Sequence, residues 1–144
     1  MPSSDSATSL IGPLEEQGVR DAWPKVEGFI REALERDGWK VRPSDLMQQI
    51  ASGEIGLYVV RDEGGEILGA VACEVQEYPN ANVFNIAYCG GHELHRWAHL
   101  LGNLEAEAAR YGCETVRITG RAGWGRVFPD YHEVQRVFER KVVV

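Results

Sequence analysis

Two glycines and one arginine form the pattern in this 144-residue chain with the clearest chemical meaning. Gly90 and Gly91 follow an apolar run, residues 83–88, and precede residues 92–112, which have helical periodicity. Free backbone N–H groups at the start of a helix bind anions, and glycine lets a backbone approach a phosphate closely. The sequence therefore predicts an anion site in residues 86–97, the glycine junction, with Arg96 as its basic side chain.

Glu74 is the best-placed candidate for proton transfer, because it interrupts an apolar run that predicts a central strand. Side chains alternate along a strand, so Glu74 shares one face with Ala72 and Gln76. A carboxylate at such a position can act as a general base. It can equally be an outward, solvated side chain, and the sequence leaves both alternatives open.

Three histidines, His92, His95 and His99, follow the glycines at helical spacing. Imidazoles at such spacing can share a zinc ion, but no carboxylate obviously orients these rings. A polar helix face or a partner contact are the alternatives, and we expect no metal. The chain has three cysteines, Cys73, Cys89 and Cys113, and they show no metal-type spacing. This favours a reducing, cytoplasmic compartment.

Composition is that of a soluble globular domain, with 44% hydrophobic and 26% charged residues. No apolar stretch approaches the roughly 20 residues of a membrane span, so we expect no membrane partner. The net charge of −7 argues against nucleic-acid binding, because phosphate contacts need Lys and Arg. Residues 117–141 nevertheless sum to +3, which leaves −10 for the rest. This basic end either serves an anionic cofactor or an acidic partner, or consists of solvated arginines.

Turn and strand signals predict one domain over residues 15–144, preceded by a flexible arm over residues 1–14. Glycines in the turn between two apolar runs predict a hairpin over residues 57–75. Residues 9–14 are the only candidate for an earlier strand, which we expect to be degenerate or absent because Gly12-Pro13 breaks it. The valine-rich residues 133–144 predict a terminal strand.

Helical periodicity predicts three helices. The first is expected to start at an Asp21 cap with Pro24 in its first turn, and Pro43 opens a second over residues 46–51. Residues 92–112 predict a long amphipathic helix whose apolar stripe faces the sheet: Leu94, Trp97, Ala98, Leu101, Leu104 and Ala108. After the next strand, residues 120–124 predict a structural turn in which Arg121 binds nearby carbonyls or a carboxylate and Trp124 packs on the sheet edge.

The order of three strands, glycines, a helix and a strand resembles the acyl-CoA-binding core of the GNAT acetyltransferases over about residues 22–142. The resemblance implies an α/β fold with a mixed, mostly antiparallel sheet flanked by helices on both faces. It implies acetyl-CoA as cosubstrate, with Glu74 as base and Tyr131 standing in for the family's tyrosine acid. The resemblance also implies that Arg96 lies beside the thioester oxygen and the pyrophosphate. The backbone groups that would hold them belong to Ile86, Ala87, Tyr88, Cys89, Gly90 and Gly91.

The chain departs from this family at the predicted anion site. Residues 92–97 read His-Glu-Leu-His-Arg-Trp, where family members have spaced glycines. Trp97 takes a position at which many members have glycine, and its ring could fill the pocket. We therefore expect weak or absent binding of acetyl-CoA.

The chain resembles more closely a subgroup of small GNAT-like proteins encoded by tailed bacteriophages. The similar segments are Asp21-Ala22-Trp23-Pro24, Ser52-Gly53, Tyr78-Pro79, Tyr111-Gly112-Cys113 and residues 119–127. Two functions remain open: an acyl-CoA-dependent N-acetyltransferase, or a non-catalytic bacteriophage structural or virion-associated protein. The second implies a protein partner or a homo-oligomer, located in the host cytoplasm or in the virion.

Overall fold

The computed structural model describes residues 8–120 and 123–143. This part of the chain forms five strands and four helices, and two 3-10 segments, Leu94–Arg96 and Ala98–Asn103, follow the fourth strand. The strands are β1 (Ser9–Ile11), β2 (Ile55–Arg61), β3 (Ile67–Tyr78), β4 (Ala81–Gly91) and β5 (Thr115–Ile118). The helices are α1 (Glu16–Arg36), α2 (Pro43–Ala51), α3 (Leu104–Arg110) and α4 (Trp124–Val127).

The five strands form one sheet in the order β1-β2-β3-β4-β5. Strands β1 to β4 pair antiparallel, whereas β5 runs parallel to β4. This is the mixed, mostly antiparallel sheet that the sequence predicts. The pairing of β3 with β4 shifts between Ala72 and Cys73, because Ala87 is an extra residue in β4 and forms a bulge.

Alternation along the strands separates two apolar layers. On one side, the α1 face of the sheet, Val26, Ile30 and Leu34 of α1 pack on strand residues such as Leu57 and Ala70. On the other side, the α3 face, the largest buried side chains come from the chain after β4: Trp97, Leu101 and Leu104. Helices therefore flank both faces, and the glycine junction connects the sheet to the α3 layer.

The first helix differs from the sequence-based expectation, whereas the first strand has the degenerate form that was one of the two expected outcomes. Strand β1 is present, although it spans only three residues, and residues 1–7 lie outside the described part of the chain. Helix α1 begins at Glu16, so the predicted Asp21 start is wrong, and Pro24 lies inside the helix. The buried residues Val19 and Ala22 extend the apolar stripe upstream of the proline. Their burial offsets the helix penalty of an internal proline.

The long helix predicted over residues 92–112 is also wrong in its backbone form. Only Leu104–Arg110 is α-helical, and the preceding residues form the two 3-10 segments. Four of the six expected core side chains are buried all the same, Trp97, Leu101, Leu104 and Ala108, whereas Leu94 and Ala98 are half-buried. Over a few turns, periods of 3.0 and 3.6 residues place the same side chains on one face, so the pattern predicts burial better than helix type.

The terminal strand predicted over residues 133–144 is wrong for the described residues 133–143, which have no regular secondary structure. A strand needs a partner edge for its backbone hydrogen bonds, and the hydrogen bonds of the described residues include none that joins this segment to the sheet. Trp124 is half-buried beside Gly120, whereas Arg121 lies outside the described residues. In the part of the chain that is described, no helix is both long and apolar enough to cross a membrane.

Candidate functional site at the divergence of two strands

Strands β4 and β5 diverge at the glycine junction. Their pairing ends with Ile86 opposite Ile118, and the N–H of Thr119 donates one more bond to the carbonyl of Ile86 at 3.1 Å. Beyond the bulge at Ala87, β4 continues to Gly91 while pairing with β3 alone. The backbone edge of β4 that faces away from β3 is therefore released from β5 along residues 87–91.

The two glycines of the junction are closely approached by protein backbone. A Cβ atom on Gly90 would lie only 2.0 Å from the carbonyl oxygen of Phe29 in α1. A Cβ atom on Gly91 would lie 2.3 Å from the carbonyl oxygen of Leu68. Both glycines thus permit tight contact between β4 and its own neighbours, the helix α1 and the strand β3.

Trp97 fills the space on the other side of the junction. Its side chain is 1% exposed, and its Nε1–H donates to the carbonyl of His92 at 2.8 Å. The ring lies against Gly69, where a Cβ atom would be 2.6 Å from the ring atom Cζ2, and against Gly91. Absence of side chains at these two glycines lets the indole pack flat on the strands.

Arg96 is turned toward a carboxylate of the same turn. Its guanidinium Nη1 is 3.1 Å from an oxygen of Glu93, and the arginine side chain is 14% exposed. Glu93 has a left-handed backbone with φ 53°, which folds the chain back on itself directly after β4. The basic side chain predicted for the anion site is thus paired with an acid next to it.

Glu74 lies at the centre of a polar row that crosses three strands. Asn85 Nδ2 donates to Glu74 Oε1 at 3.1 Å, and Thr119 Oγ1 donates to Asn85 Oδ1 at 2.8 Å. Gln76 Nε2 donates to the same carboxylate at 3.2 Å, and Arg117 Nη1 donates to Gln76 Oε1 at 3.1 Å. Glu74 is half-buried rather than fully solvated, and its carboxylate is held by two amide donors.

Sequence reasoning found Glu74 but missed the residues that fix it. Asn85 is only 3% exposed and is the buried polar residue of the core. A usable signal existed, since Asn85 interrupts the apolar run 83–88 as Glu74 interrupts its own strand. The strand register sets Glu74 opposite Asn85, and Asn85 opposite Arg117. This register joins three distant segments, so no single segment predicts it.

The polar row borders a cleft of 290 Å³ at the start of β2. Acidic and aromatic residues line it, among them Glu54, Glu74, Tyr58, Phe84 and Tyr111. Tyr58 donates its hydroxyl to Glu107 at 2.9 Å, and burial together with this carboxylate raises the pKa of Tyr58 above its usual value. Among the predicted site residues, Glu74 is the one that lines this cleft.

Tyr131 lies on the opposite side of the sheet from Glu74. Its ring is 5.3 Å from that of Phe128, which stacks in turn on Trp124 and packs in the α3 layer. Burial, and to a smaller extent the charge of Glu105, raises the pKa of the Tyr131 hydroxyl. Glu74 shares the α1 face with Ala70 and Ala72, so the two predicted catalytic residues are not brought together.

The remaining predicted residues are distributed along β4. Ile86 is buried, Ala87 and Tyr88 are half-buried, and burial raises the pKa of the Cys89 thiol to about 12. That thiol stays protonated near neutral pH and is a poor nucleophile. Across residues 8–120 and 123–143 no group of three or more His, Cys, Asp and Glu side chains is placed to hold a metal ion.

Comparison with solved structures identifies the architecture. A GNAT family acetyltransferase from Staphylococcus aureus aligns with a TM-score of 0.56 at 16% identity, over 94% of this chain and 97% of that chain. Aminoglycoside 6'-N-acetyltransferase AAC(6')-Ih from Acinetobacter baumannii aligns at 0.65 and 12%, over 95% and 99%. The chain has the GNAT acetyltransferase fold. Glucosamine-6-phosphate N-acetyltransferase from Arabidopsis thaliana aligns at 0.60 and 12%, over 95% and 99%.

Sequence comparison adds nothing to this assignment, since no family model and no curated protein match the chain. Identities of 10–16% show a shared fold and leave the activity open. Whether this GNAT-fold chain is an enzyme therefore depends on the residues of its own candidate site.

The glycine junction does not fit acetyl-CoA. A pyrophosphate needs several backbone N–H groups directed at one point, which the first turn of a helix supplies. Here the turn after β4 is a three-residue 3-10 segment preceded by the carboxylate of Glu93, and the N–H of His92 already donates to Leu68. The indole of Trp97 occupies the space beside the glycines.

Proposed function

We propose that this GNAT-fold chain binds another protein and does not transfer an acetyl group. The observation that carries the proposal is the closed glycine junction. The backbone carbonyls of Phe29 and Leu68 and the ring of Trp97 lie where side chains of Gly90 and Gly91 would be, so the two glycines serve close contacts within the protein. A bacteriophage structural or virion-associated role, which the sequence resemblance implies, is the form of this function that we propose.

Electrostatics support the same conclusion. Glu93 lies at the turn where a pyrophosphate would bind, and one carboxylate within about 4–6 Å of a phosphate costs on the order of 1–3 kcal/mol at a partly solvated site. The neighbouring Arg96 is bound to that carboxylate at 3.1 Å. The pair reduces the charge of both partners, so Arg96 attracts a phosphate less, and Glu93 opposes it less than an unpaired carboxylate would.

The acetyl-CoA titration of the purified chain tests the proposal directly. We expect a dissociation constant no better than roughly millimolar, near −4 kcal/mol, by isothermal titration calorimetry. Glu93→Gln is the matched variant, because it removes the repelling charge while Trp97 and both glycines stay in place. If the carboxylate alone prevented binding, this variant would bind acetyl-CoA at least about tenfold more tightly than the wild type. Closure by protein atoms would then be the wrong explanation.

A micromolar constant for the wild-type chain would overturn the proposal and favour the second candidate, an N-acetyltransferase. One observation favours that candidate, namely the held carboxylate of Glu74 on the edge of a cleft that also contains Glu54. In that reaction Glu74 would accept the proton of an amine.

A further inference from the structure

Arg117 of β5 is a half-buried arginine that has no acidic partner among the described residues. A guanidinium stays charged at neutral pH, because its pKa lies above about 12. The charge of Arg117 is therefore not neutralised within the described part of the chain. Six other described arginines each pair with a carboxylate: Arg20, Arg31, Arg36, Arg96, Arg110 and Arg136.

Neutral oxygens hold the guanidinium of Arg117 in place. Its Nη1 donates to Gln76 Oε1 at 3.1 Å and to the hydroxyl of Tyr78 at 2.9 Å, and its central carbon lies 5.7 Å from the centre of the Tyr78 ring. Both bonds use the same nitrogen, so Nε and Nη2 have no hydrogen-bond partner among the described residues. The N–H groups of these two nitrogens form a planar fork that matches the two oxygens of a carboxylate.

Gln76 separates Arg117 from Glu74, the carboxylate of the same polar row. Its Oε1 accepts from Arg117, and its Nε2 donates to Glu74 Oε1 at 3.2 Å. Asn85 Nδ2 donates to that same carboxylate oxygen at 3.1 Å. The row therefore satisfies Glu74 with amides and leaves the fork of Arg117 open. A guanidinium that is held in one position without being paired is preorganised for an acid from outside the chain.

We propose that Arg117 is the receptor for one carboxylate side chain, Asp or Glu, of a partner protein. The proposal rests on the protein-binding function above and names the chemistry of the partner at this contact. Tyr78 is 47% exposed beside the guanidinium and supplies an aromatic surface next to the bound acid. Tyrosine and arginine are the residue types in which protein interfaces are enriched.

A single carboxylate suits this site better than a nucleic acid does. Consecutive phosphates need several Lys and Arg side chains, whereas Arg117 is the one basic residue that bonds to the polar row in the described residues. The net charge of −7 also repels a polyanion. A planar fork with two free donors pairs with one planar acid through two parallel hydrogen bonds.

An NMR titration of the full chain at constant ionic strength tests the proposal, with N-acetylglutamate α-amide as the probe. The reporters are the Nε–H of Arg117 and the backbone amide of Tyr78. We expect both signals to shift saturably, with half-saturation at roughly 10 mM, as suits a single contact by a ligand of this size. N-acetylglutamine α-amide is the matched neutral probe and should give no saturable shift. Methyl phosphate is the phosphate probe and should bind more weakly.

Gln76→Glu is the most informative variant, because it keeps Arg117 and places a carboxylate beside its Nη1. We expect it to weaken the carboxylate probe at least about tenfold. Arg117→Lys keeps the charge but loses the fork, and the Tyr78 amide should report a similar loss. Arg42→Gln is the matched control, since Arg42 is an exposed arginine at the start of α2, and it should leave the titration unchanged. The melting temperature of each variant shows whether it is folded, and Arg117→Lys decides the question if Gln76→Glu does not fold.

The inference would be overturned by any of four results. These are no saturable shift up to roughly 100 mM of the carboxylate probe, an equal shift with the neutral probe, an unchanged titration in Arg117→Lys, or tighter binding of methyl phosphate. The acetyl-CoA titration is independent of all four. A chain that binds the carboxylate probe and also binds acetyl-CoA with a micromolar constant would keep the carboxylate site and lose the protein-binding function. A chain that binds neither would lose the carboxylate site and keep that function.

Discussion

The contact between Trp97 and Gly69 predicts that the effect of Gly69→Ala on stability depends on whether the indole is present. Trp97 is 1% exposed and its Nε1–H donates to His92, so Trp97→Ala should lower the free energy of unfolding by about 3–5 kcal/mol. Gly69→Ala places a Cβ atom 2.6 Å from ring atom Cζ2, with two further ring atoms at 3.0 Å. Such overpacking destabilises the fold by about 1–3 kcal/mol. Alanine in place of glycine in a strand offsets roughly 0.5–1 kcal/mol of that loss.

The double variant separates packing from any independent effect of the two substitutions. Without the indole, the new methyl group of Gly69→Ala enters the space that Trp97→Ala leaves. We expect the second substitution to become neutral or stabilising by up to about 1 kcal/mol in that background. The coupling energy should therefore be about 1–3 kcal/mol in favour of the double variant.

Urea denaturation of the four proteins, with a shared slope, measures the cycle. If Trp97→Ala fails to fold, Trp97→Phe in its place keeps part of the contact and should still give a coupling of the same sign. Additivity within about 0.5 kcal/mol would refute the reasoning, because it would mean that the ring and Gly69 are not in contact. It would also remove the strongest evidence that the glycine junction is closed.

Two further predictions concern the same layers. Gly90→Ala should lower the free energy of unfolding by about 3 kcal/mol or more in the same denaturation assay, because its Cβ would lie 2.0 Å from the carbonyl oxygen of Phe29. The control is Gly102→Ala, which has open space around its Cβ and should not destabilise the fold. The pKa of Tyr58 is raised by burial and Glu107, so the folded state retains this proton more strongly than the unfolded chain. The stability contributed by the protonated Tyr58 hydroxyl is fully present below the usual pKa of 10.0 and falls as pH rises above that value. The melting temperature of Tyr58→Phe should therefore depend less on pH in the alkaline range than that of the wild type. An unchanged pH profile would contradict the assignment.

Local signals in the sequence predicted those parts of the fold that local chemistry decides. The turn between β2 and β3 is an example, since Gly65 has φ 83° and its N–H donates to Asp62 at 3.0 Å. Pro43 at the start of α2 is another. Both depend on residues only a few positions apart, which a single sequence displays directly.

Contacts between distant segments decided the rest. The chain after β4 forms 3-10 turns in which Trp97 lies on Gly69, twenty-eight positions earlier, and no local period encodes that contact. The polar row likewise depends on three strands meeting in one register, so Glu74 was visible, whereas the bonds that join it through Asn85 to Thr119 were not. Valine-rich residues 133–143 predicted a strand from propensity. A strand also needs backbone hydrogen bonds to a neighbour, and the bonds of the described residues include none between this segment and the sheet.

The proposed closure of the glycine junction and the expected loss of cosubstrate affinity depend on one set of contacts. If a pyrophosphate needed the space of the Trp97 indole, moving the indole out of its buried site would cost about 3–5 kcal/mol. A ligand that would bind an open junction with a micromolar constant, near −8.2 kcal/mol, would then retain only about −3 to −5 kcal/mol. That range contains the millimolar constant expected for acetyl-CoA. On that premise, packing that stabilises the α3 layer would be sufficient to abolish useful binding, even before the charge of Glu93 is considered.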